Sequence, residues 1–175
     1  MKKRSTNPEH RYWDSTVFLA WLLPEKDRIE DIRAVLDAAE RGKVLIVTSA
    51  LTLVEVIKLK GHPSLPREQE RKIREFFQRS FVLTRGFDQF TAIDARELIW
   101  KHGLMPKDSV HVATALRARL RILETHDRPL IDLNQKLPVP GGAPMTIRQP
   151  HFSETLPLRF GQAKGKVRSI KGDGK

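Results

Sequence analysis

The chain contains no cysteine. Disulfide staples and thiolate-held metals are therefore excluded, and a reducing, cytoplasmic setting is the expectation. Long apolar runs are also missing. None approaches the roughly 20 residues a membrane-spanning helix needs, so no membrane partner is expected. Polar residues dominate positions 2–11, where a secretory leader would require an apolar stretch. There is no GxGxxG run and no P-loop, which sets aside the nucleotide-binding classes built on them. Acids are outnumbered: 32 Lys and Arg face 21 Asp and Glu, a net charge of +11. The bases gather at both ends, at Lys2, Lys3, Arg4 and Arg11 and again from Arg159 to Lys175. Such a field favours a polyanion, most simply nucleic acid.

What is present suits one domain. Hydrophobic residues make up 39% of the 175 positions, enough for a sizeable core. Residues 1–10 are expected to be disordered. Tyr12 and Trp13 start a short strand ending at Asp14, and Ser15–Leu23 follows as a helix. Glu25–Glu40 is amphipathic, with Ile29, Ile32, Val35, Leu36 and Ala39 on one face. Val44–Val47 reads as a strand buried on both faces. Helices are expected at Ser49–Leu59 and at Pro66–Arg79, the latter with Ile73, Phe76 and Phe77 inward. Phe81–Leu83 is a third strand. Asp88–His102 is a helix with Phe90, Ile93, Leu98 and Ile99 on its buried side. Lys107–Leu120 is helical, and Arg121–Thr125 and Met145–Ile147 are strands. Strands alternating with helices imply an α/β fold with a parallel sheet covered on both sides. In such sheets ligands bind at the carboxyl ends of the strands.

Four acids stand at places that topology can bring together. Asp14 follows the first strand, Glu55 lies on the helix after the second, Asp108 opens a helix, and Asp127 follows the strand ending at Thr125. Hard divalent cations such as Mg²⁺ and Mn²⁺ take oxygen ligands from a few carboxylates plus water and substrate phosphates. Crowded carboxylates repel, and a cation offsets that repulsion. Each acid also has a plainer reading. Asp14 can cap the helix at Ser15–Thr16. Glu55 can pair with Lys58. Asp108 can serve the helix dipole, and Asp127 can be a turn or cap residue. The functional case is the four together.

Tyr12-Trp13-Asp14-Ser15-Thr16, Thr48-Ser49-Ala50-Leu51-Thr52-Leu53-Val54-Glu55-Val56, Pro106-Lys107-Asp108-Ser109-Val110-His111-Val112-Ala113-Thr114-Ala115 and Leu123-Glu124-Thr125-His126-Asp127 occur in that order. Together they resemble the PIN-domain family, and within it the VapC-like toxins of toxin–antitoxin systems. The resemblance covers roughly residues 11–150. It implies a three-layer α/β/α sandwich, Mg²⁺ or Mn²⁺ as cofactor, and cleavage of single-stranded RNA to a 5′-phosphate and a 3′-hydroxyl. By position, Asp14, Glu55 and Asp108 match the core metal-binding acids and Asp127 the more variable fourth. Thr125, with Ser15 or Thr16, matches the supporting hydroxyls. An antitoxin partner and a homodimer are implied by the same resemblance. Two departures stand out: Ser109 replaces a small apolar residue, and the chain continues past about Pro150. Residues 11–150 are thus expected to form the nuclease-like domain and 151–175 a basic extension, disordered in its distal part.

Other residues draw plainer readings. His111 lies one turn after Asp108, where a packing or hydrogen-bonded role is favoured. His126, Asp94, Lys107 and the charged face of Arg67–Arg79 are read as ordinary surface or turn residues, and Trp13, Trp21 and Trp100 as core. Two alternatives compete with a ribonuclease. One is a PIN-like domain that holds RNA without cutting it, which four grouped acids disfavour. The other is a phosphatase using an Asp-x-Asp loop, which Ser15-Thr16 after Asp14 disfavours.

Overall fold

A computed structural model describes residues 7–23, 26–57 and 65–153. Five parallel strands form one sheet in the order β3-β2-β1-β4-β5. The strands are β1 (Glu9–Trp13), β2 (Val44–Ser49), β3 (Val82–Arg85), β4 (Ile122–Glu124) and β5 (Thr146–Arg148). Helices α1 (Ser15–Leu22) and α2 (Lys26–Glu40) connect β1 to β2. Helices α3 (Ala50–Glu55) and α4 (Glu70–Phe77), with a 3-10 turn at Arg67–Gln69, lead to β3. Helices α5 (Gln89–His102) and α6 (Pro106–Arg117) return the chain to β4, and the single turn α7 (Arg128–Ile131) precedes β5.

Side-chain alternation along the strands divides the core into two layers. Tyr12, Val47, Leu123 and Ile147 face α5, α6 and α7. Trp13, Val44 and Ile46 face the other way, against Phe18 of α1, Ile32 and Val35 of α2 and Phe76 of α4. The result is the expected three-layer α/β/α sandwich. After β1 the chain moves to β2 on one side, while β4 pairs with β1 on the other. The crevice at the carboxyl ends of β1 and β4 is therefore a topological switch point, the place where open α/β sheets bind ligands.

Several boundaries differ from the sequence reading. β1 begins at Glu9, inside the stretch expected to be disordered, because Glu9 and His10 pair with Val44 and Leu45 of β2. The sheet partner, which local composition does not reveal, extends the strand. Residues 1–6 and 154–175, where the rest of the disorder reading falls, lie outside the described residues. α3 is shorter than expected: the backbone leaves the helix at Val56, and 58–64 lie outside the described residues. α7 was not anticipated. On α5 the buried residues are Thr91, Ala95 and Leu98, whereas Phe90 and Ile93 are exposed. The cause is packing geometry: α5 lies against α6 along a narrow stripe, so apolar residues to one side stay in solvent. Trp100 is 80% exposed and is not a core residue.

Candidate active site

The site is built from strand ends. Trp13 closes β1, so the next residue, Asp14, emerges at the sheet edge, and it is buried. Its Oδ1 caps α1, accepting from the Thr16 and Val17 amides at 3.1 and 3.3 Å and from the Thr16 hydroxyl at 2.6 Å. Its Oδ2 accepts from the Thr125 hydroxyl at 2.6 Å, reaching across from the end of β4. The amide of Asp127 donates to Thr125 Oγ1, and that of His126 to Thr16 Oγ1. The capping reading of Asp14 is thus correct for one oxygen, while the other belongs to the crevice. Every donor to this carboxylate is neutral. Burial raises its pKa above the usual range, against the lowering effects of His111 and the Thr125 and Thr16 hydroxyls.

Asp108 sits in the first turn of α6, behind Met105 and Pro106. Burial raises its pKa; Lys107 and His111 oppose the rise, and the charges of Asp127 and Asp14 add to it. Asp127 occupies the N-cap position of α7 but makes no side-chain cap bond. The cap reading therefore fails for its carboxylate, which acts on Asp108 and Lys107 instead.

Glu55 joins from the end of α3. Its Oε2 meets His111 Nε2 at 2.6 Å, and its Oε1 lies 3.7 Å from Lys107 Nζ. Lys107 Nζ is also 3.6 Å from Asp108 Oδ1. Burial alone would raise Glu55, but the His111 hydrogen bond and the charge of Lys107 outweigh it and hold the carboxyl below its usual range. Burial would lower Lys107, but Asp108, Glu55 and Asp127 outweigh it and hold its ammonium proton more firmly. The alternative partner of Glu55, Lys58, lies outside the described residues.

Behind Glu55 runs a connection that spacing alone could not supply. His111 Nδ1 is 2.8 Å from the Tyr12 hydroxyl, and both side chains are buried. Burial, then the charge of Asp14, raises the Tyr12 pKa well above its usual value, so the phenol keeps its proton. Tyr12 therefore donates to Nδ1, which leaves the proton of a neutral imidazole on Nε2, pointing at Glu55. The only signal in the sequence was the three-residue step from Asp108 to His111, which put both on one stretch of α6. Glu124 was missed as well. It is fully buried, 2.8 Å from Arg11 and 2.7 Å from Trp13 Nε1. Arg11 and Glu124 are 113 residues apart, so no local pattern links them.

The family model of the PIN domain matches residues 11–135. The chain belongs to the PIN-domain family. No curated protein matches this PIN domain in sequence. Among solved structures it is similar to a toxin–antitoxin complex from Klebsiella pneumoniae, at 19% identity over 67% of this chain and 86% of that one, with a TM-score of 0.49. It is also similar to VapC20 of Mycobacterium tuberculosis, described as a sarcin–ricin loop cleaving toxin. There the identity is 13% over 67% of this chain and 89% of that one, with a TM-score of 0.51. At 13% identity the likeness to VapC20 is one of fold.

The donor chemistry of the site was tested against a divalent cation. The groups are carboxylate oxygens, the ligands hard cations prefer. Burial raises Asp14 and Asp108, and the charges of Asp127 and Asp14 add to the rise of Asp108. Among the described residues, no three Asp, Glu or His side chains stand close enough together to hold a metal ion between them. Lys107, between Glu55 and Asp108, separates two of the candidates. The arrangement fits an open, hydrated Mg²⁺ or Mn²⁺ site held by one or two carboxylates, as such ions usually are.

Proposed function

We propose that this PIN domain is a divalent-metal-dependent endoribonuclease, the toxin of a toxin–antitoxin pair. The observation that supports the reading is that Lys107 Nζ lies 3.6 Å from Asp108 and 3.7 Å from Glu55, while Thr125, two residues before Asp127, donates to Asp14 at the switch-point crevice. Asp14 and Asp108 would hold Mg²⁺ or Mn²⁺, with Glu55 contributing directly or through water and Asp127 tuning the site. The cation would offset the repulsion between these acids and a phosphodiester and would make the attacking water more acidic. The chain's own groups do the rest. Thr16 and Thr125 fix both oxygens of Asp14. His111, oriented by Tyr12, fixes Glu55. Lys107 is placed to receive a non-bridging phosphate oxygen. Water adds to phosphorus and the 3′-oxygen leaves, giving a 5′-phosphate and a 3′-hydroxyl without a protein nucleophile. The likeness to VapC20 supports a toxin role, and the basic composition supports an RNA substrate. A homodimer and a cytoplasmic site of action belong to the same reading. No helix among the described residues is long and apolar enough to cross a membrane.

The test is cleavage of a labelled single-stranded RNA with Mn²⁺, Mg²⁺ or EDTA. Cleavage that needs the metal and vanishes in Asp14→Asn and Asp108→Asn, both still folded, is the expected result. Cleavage that persists in both variants, or in EDTA, overturns the reading.

A further inference from the structure

Beside the acid crevice is a second concavity that the proposed chemistry leaves unused. It is an open pocket of about 390 Å³, within the range of small-ligand sites. Arg85, Phe87 and Asp88, from the end of β3 and the turn after it, form one wall. Thr114 and Arg117 of α6 form the other. It opens at the same carboxyl edge of the parallel sheet as the crevice, at the end of β3. Ser49, last in β2, pairs with Arg85, and Thr114 follows His111, the partner of Glu55, by three residues on α6. Thr114 lies six residues along α6 from Asp108, ~9 Å of helix, so neighbouring groups of one extended ligand can occupy both places.

The pocket's chemistry is specific. Among the described residues, the Arg85 side chain makes no ion pair or hydrogen bond, although it sits at the end of a sheet strand. Arg117 pairs with Asp94 at 2.9 Å and lies over the Phe90 ring at 5.5 Å. The Asp88 carboxylate is engaged by Thr91, through its amide at 2.8 Å and its hydroxyl at 2.7 Å. Phe87 and Phe90 are 50% and 56% exposed, on two sides of Asp88. A guanidinium with no partner among the described residues, beside an exposed aromatic ring, suits a phosphate next to a planar base. Arginine forks match phosphate oxygens, and aromatic faces stack any base. An acidic protein segment would use Arg85 but would leave the rings without a planar partner.

We propose that this pocket seats a nucleotide of single-stranded RNA flanking the cleaved bond, its phosphate on Arg85 and its base on Phe87. The inference rests on the ribonuclease reading for its substrate, but it makes a separate claim about binding. It is tested in the full chain carrying Asp108→Asn, by fluorescence anisotropy with a labelled single-stranded RNA across a salt series. Adding Arg85→Ala weakens binding about tenfold and lowers the salt dependence by roughly one phosphate contact, a slope of about 0.7. Phe87→Ala weakens binding about tenfold without changing that slope, and Phe87→Trp restores it, because stacking and not charge is lost. Both side chains are exposed, and unchanged melting temperatures confirm intact folds. RNA affinity and salt slope unchanged by Arg85→Ala and Phe87→Ala overturn the inference, even where the parent chain cleaves RNA, and leave the pocket to a protein partner. Weakened binding in a chain that never cleaves RNA upholds the pocket while the ribonuclease reading fails.

Discussion

Two buried carboxylates sit one residue out of step on neighbouring strands. Glu124 ends β4 and faces Trp13 of β1; Asp14 follows Trp13, and its amide reaches the Glu124 carbonyl at 3.4 Å. Burial raises the pKa of both. Their surroundings differ in kind. Glu124 has a resident cation, Arg11, at 2.8 Å, with Arg148 at 3.5 Å and the Trp13 indole also bound to it. Arg11 in turn donates to the His151 carbonyl, and its guanidinium lies over the Phe152 ring at 5.5 Å. That network ties residues 151 and 152 to the back of the sheet. Asp14 is given amides and hydroxyls, which orient it without neutralising it. A buried acid with its own cation is part of the structure. A buried acid held only by neutral donors keeps its charge unneutralised, which is what the proposed role of Asp14 as a metal ligand requires.

The largest expected effect breaks the comparison on the open side. Asp14→Asn or Asp108→Asn should lower metal-dependent RNA cleavage by about three orders of magnitude, measured as single-turnover rates, while circular dichroism stays native. Asparagine still caps a helix, so α1 should survive the change at Asp14. Full activity in either variant would place the reacting centre elsewhere.

The next effect falls on the closed side. Glu124→Gln removes the fully buried counter-charge of Arg11 and leaves it only the half-exposed Glu9, and breaking a buried pair costs about 3–5 kcal/mol. Urea unfolding should show a loss of that size. A loss below about 1 kcal/mol would mean that the network is not structural. Metal affinity, measured by calorimetry at a temperature where the variant is folded, should stay unchanged.

A smaller effect separates the sites by pH and metal. The raised pKa values of Asp14 and Asp108 mean that the folded chain holds those protons more tightly than the unfolded chain. Their stabilising contribution is therefore full below the ordinary carboxylate range and is lost as pH rises through the raised values. Without metal, the melting temperature should fall over that interval, and the Asn variants should flatten part of the fall. Glu124, also raised, keeps its share of the slope in every variant. At neutral pH, Mn²⁺ at 100 times its dissociation constant should add about 2.7 kcal/mol to the parent chain, a rise of roughly 5–10 °C for a domain of this size. A Mn²⁺ shift that is the same in Asp14→Asn as in the parent would contradict the assignment of Asp14.

The smallest effect concerns Tyr12. Tyr12→Phe removes the donor that sets the His111 tautomer, at a cost of about 1–3 kcal/mol because Nδ1 is left buried and unpaired. Cleavage should fall less than in the Asp variants, with a larger change in kcat than in KM. A change confined to KM would argue against orientation of Glu55 through His111.

How legible the site was varied with how local each arrangement is. Asp14 after an apolar strand, Asp108 behind Met105-Pro106 and Asp127 after Thr125 were readable because strand ends and helix starts have signatures along the chain. The α2 face was readable for the same reason, through its helical period. The inward face of α5 was not, because which apolar residues are covered depends on where α6 lies. The ion pair of Arg11 with Glu124 and the link from Tyr12 through His111 to Glu55 were invisible in the sequence. Each joins elements that meet only after the sheet has assembled.

The sequence by itself determined the alternation of strands and helices, the parallel sheet that follows from it, and the four acids at ends of elements, because those features depend on neighbours within a few residues. Only the tertiary structure decided which acids are neutralised. Burial and pairing are properties of the assembled sheet, where Arg11 falls beside Glu124 while Asp14 meets hydroxyl and amide groups. The same electrostatic rule then makes one carboxylate a structural partner and the other a proposed ligand.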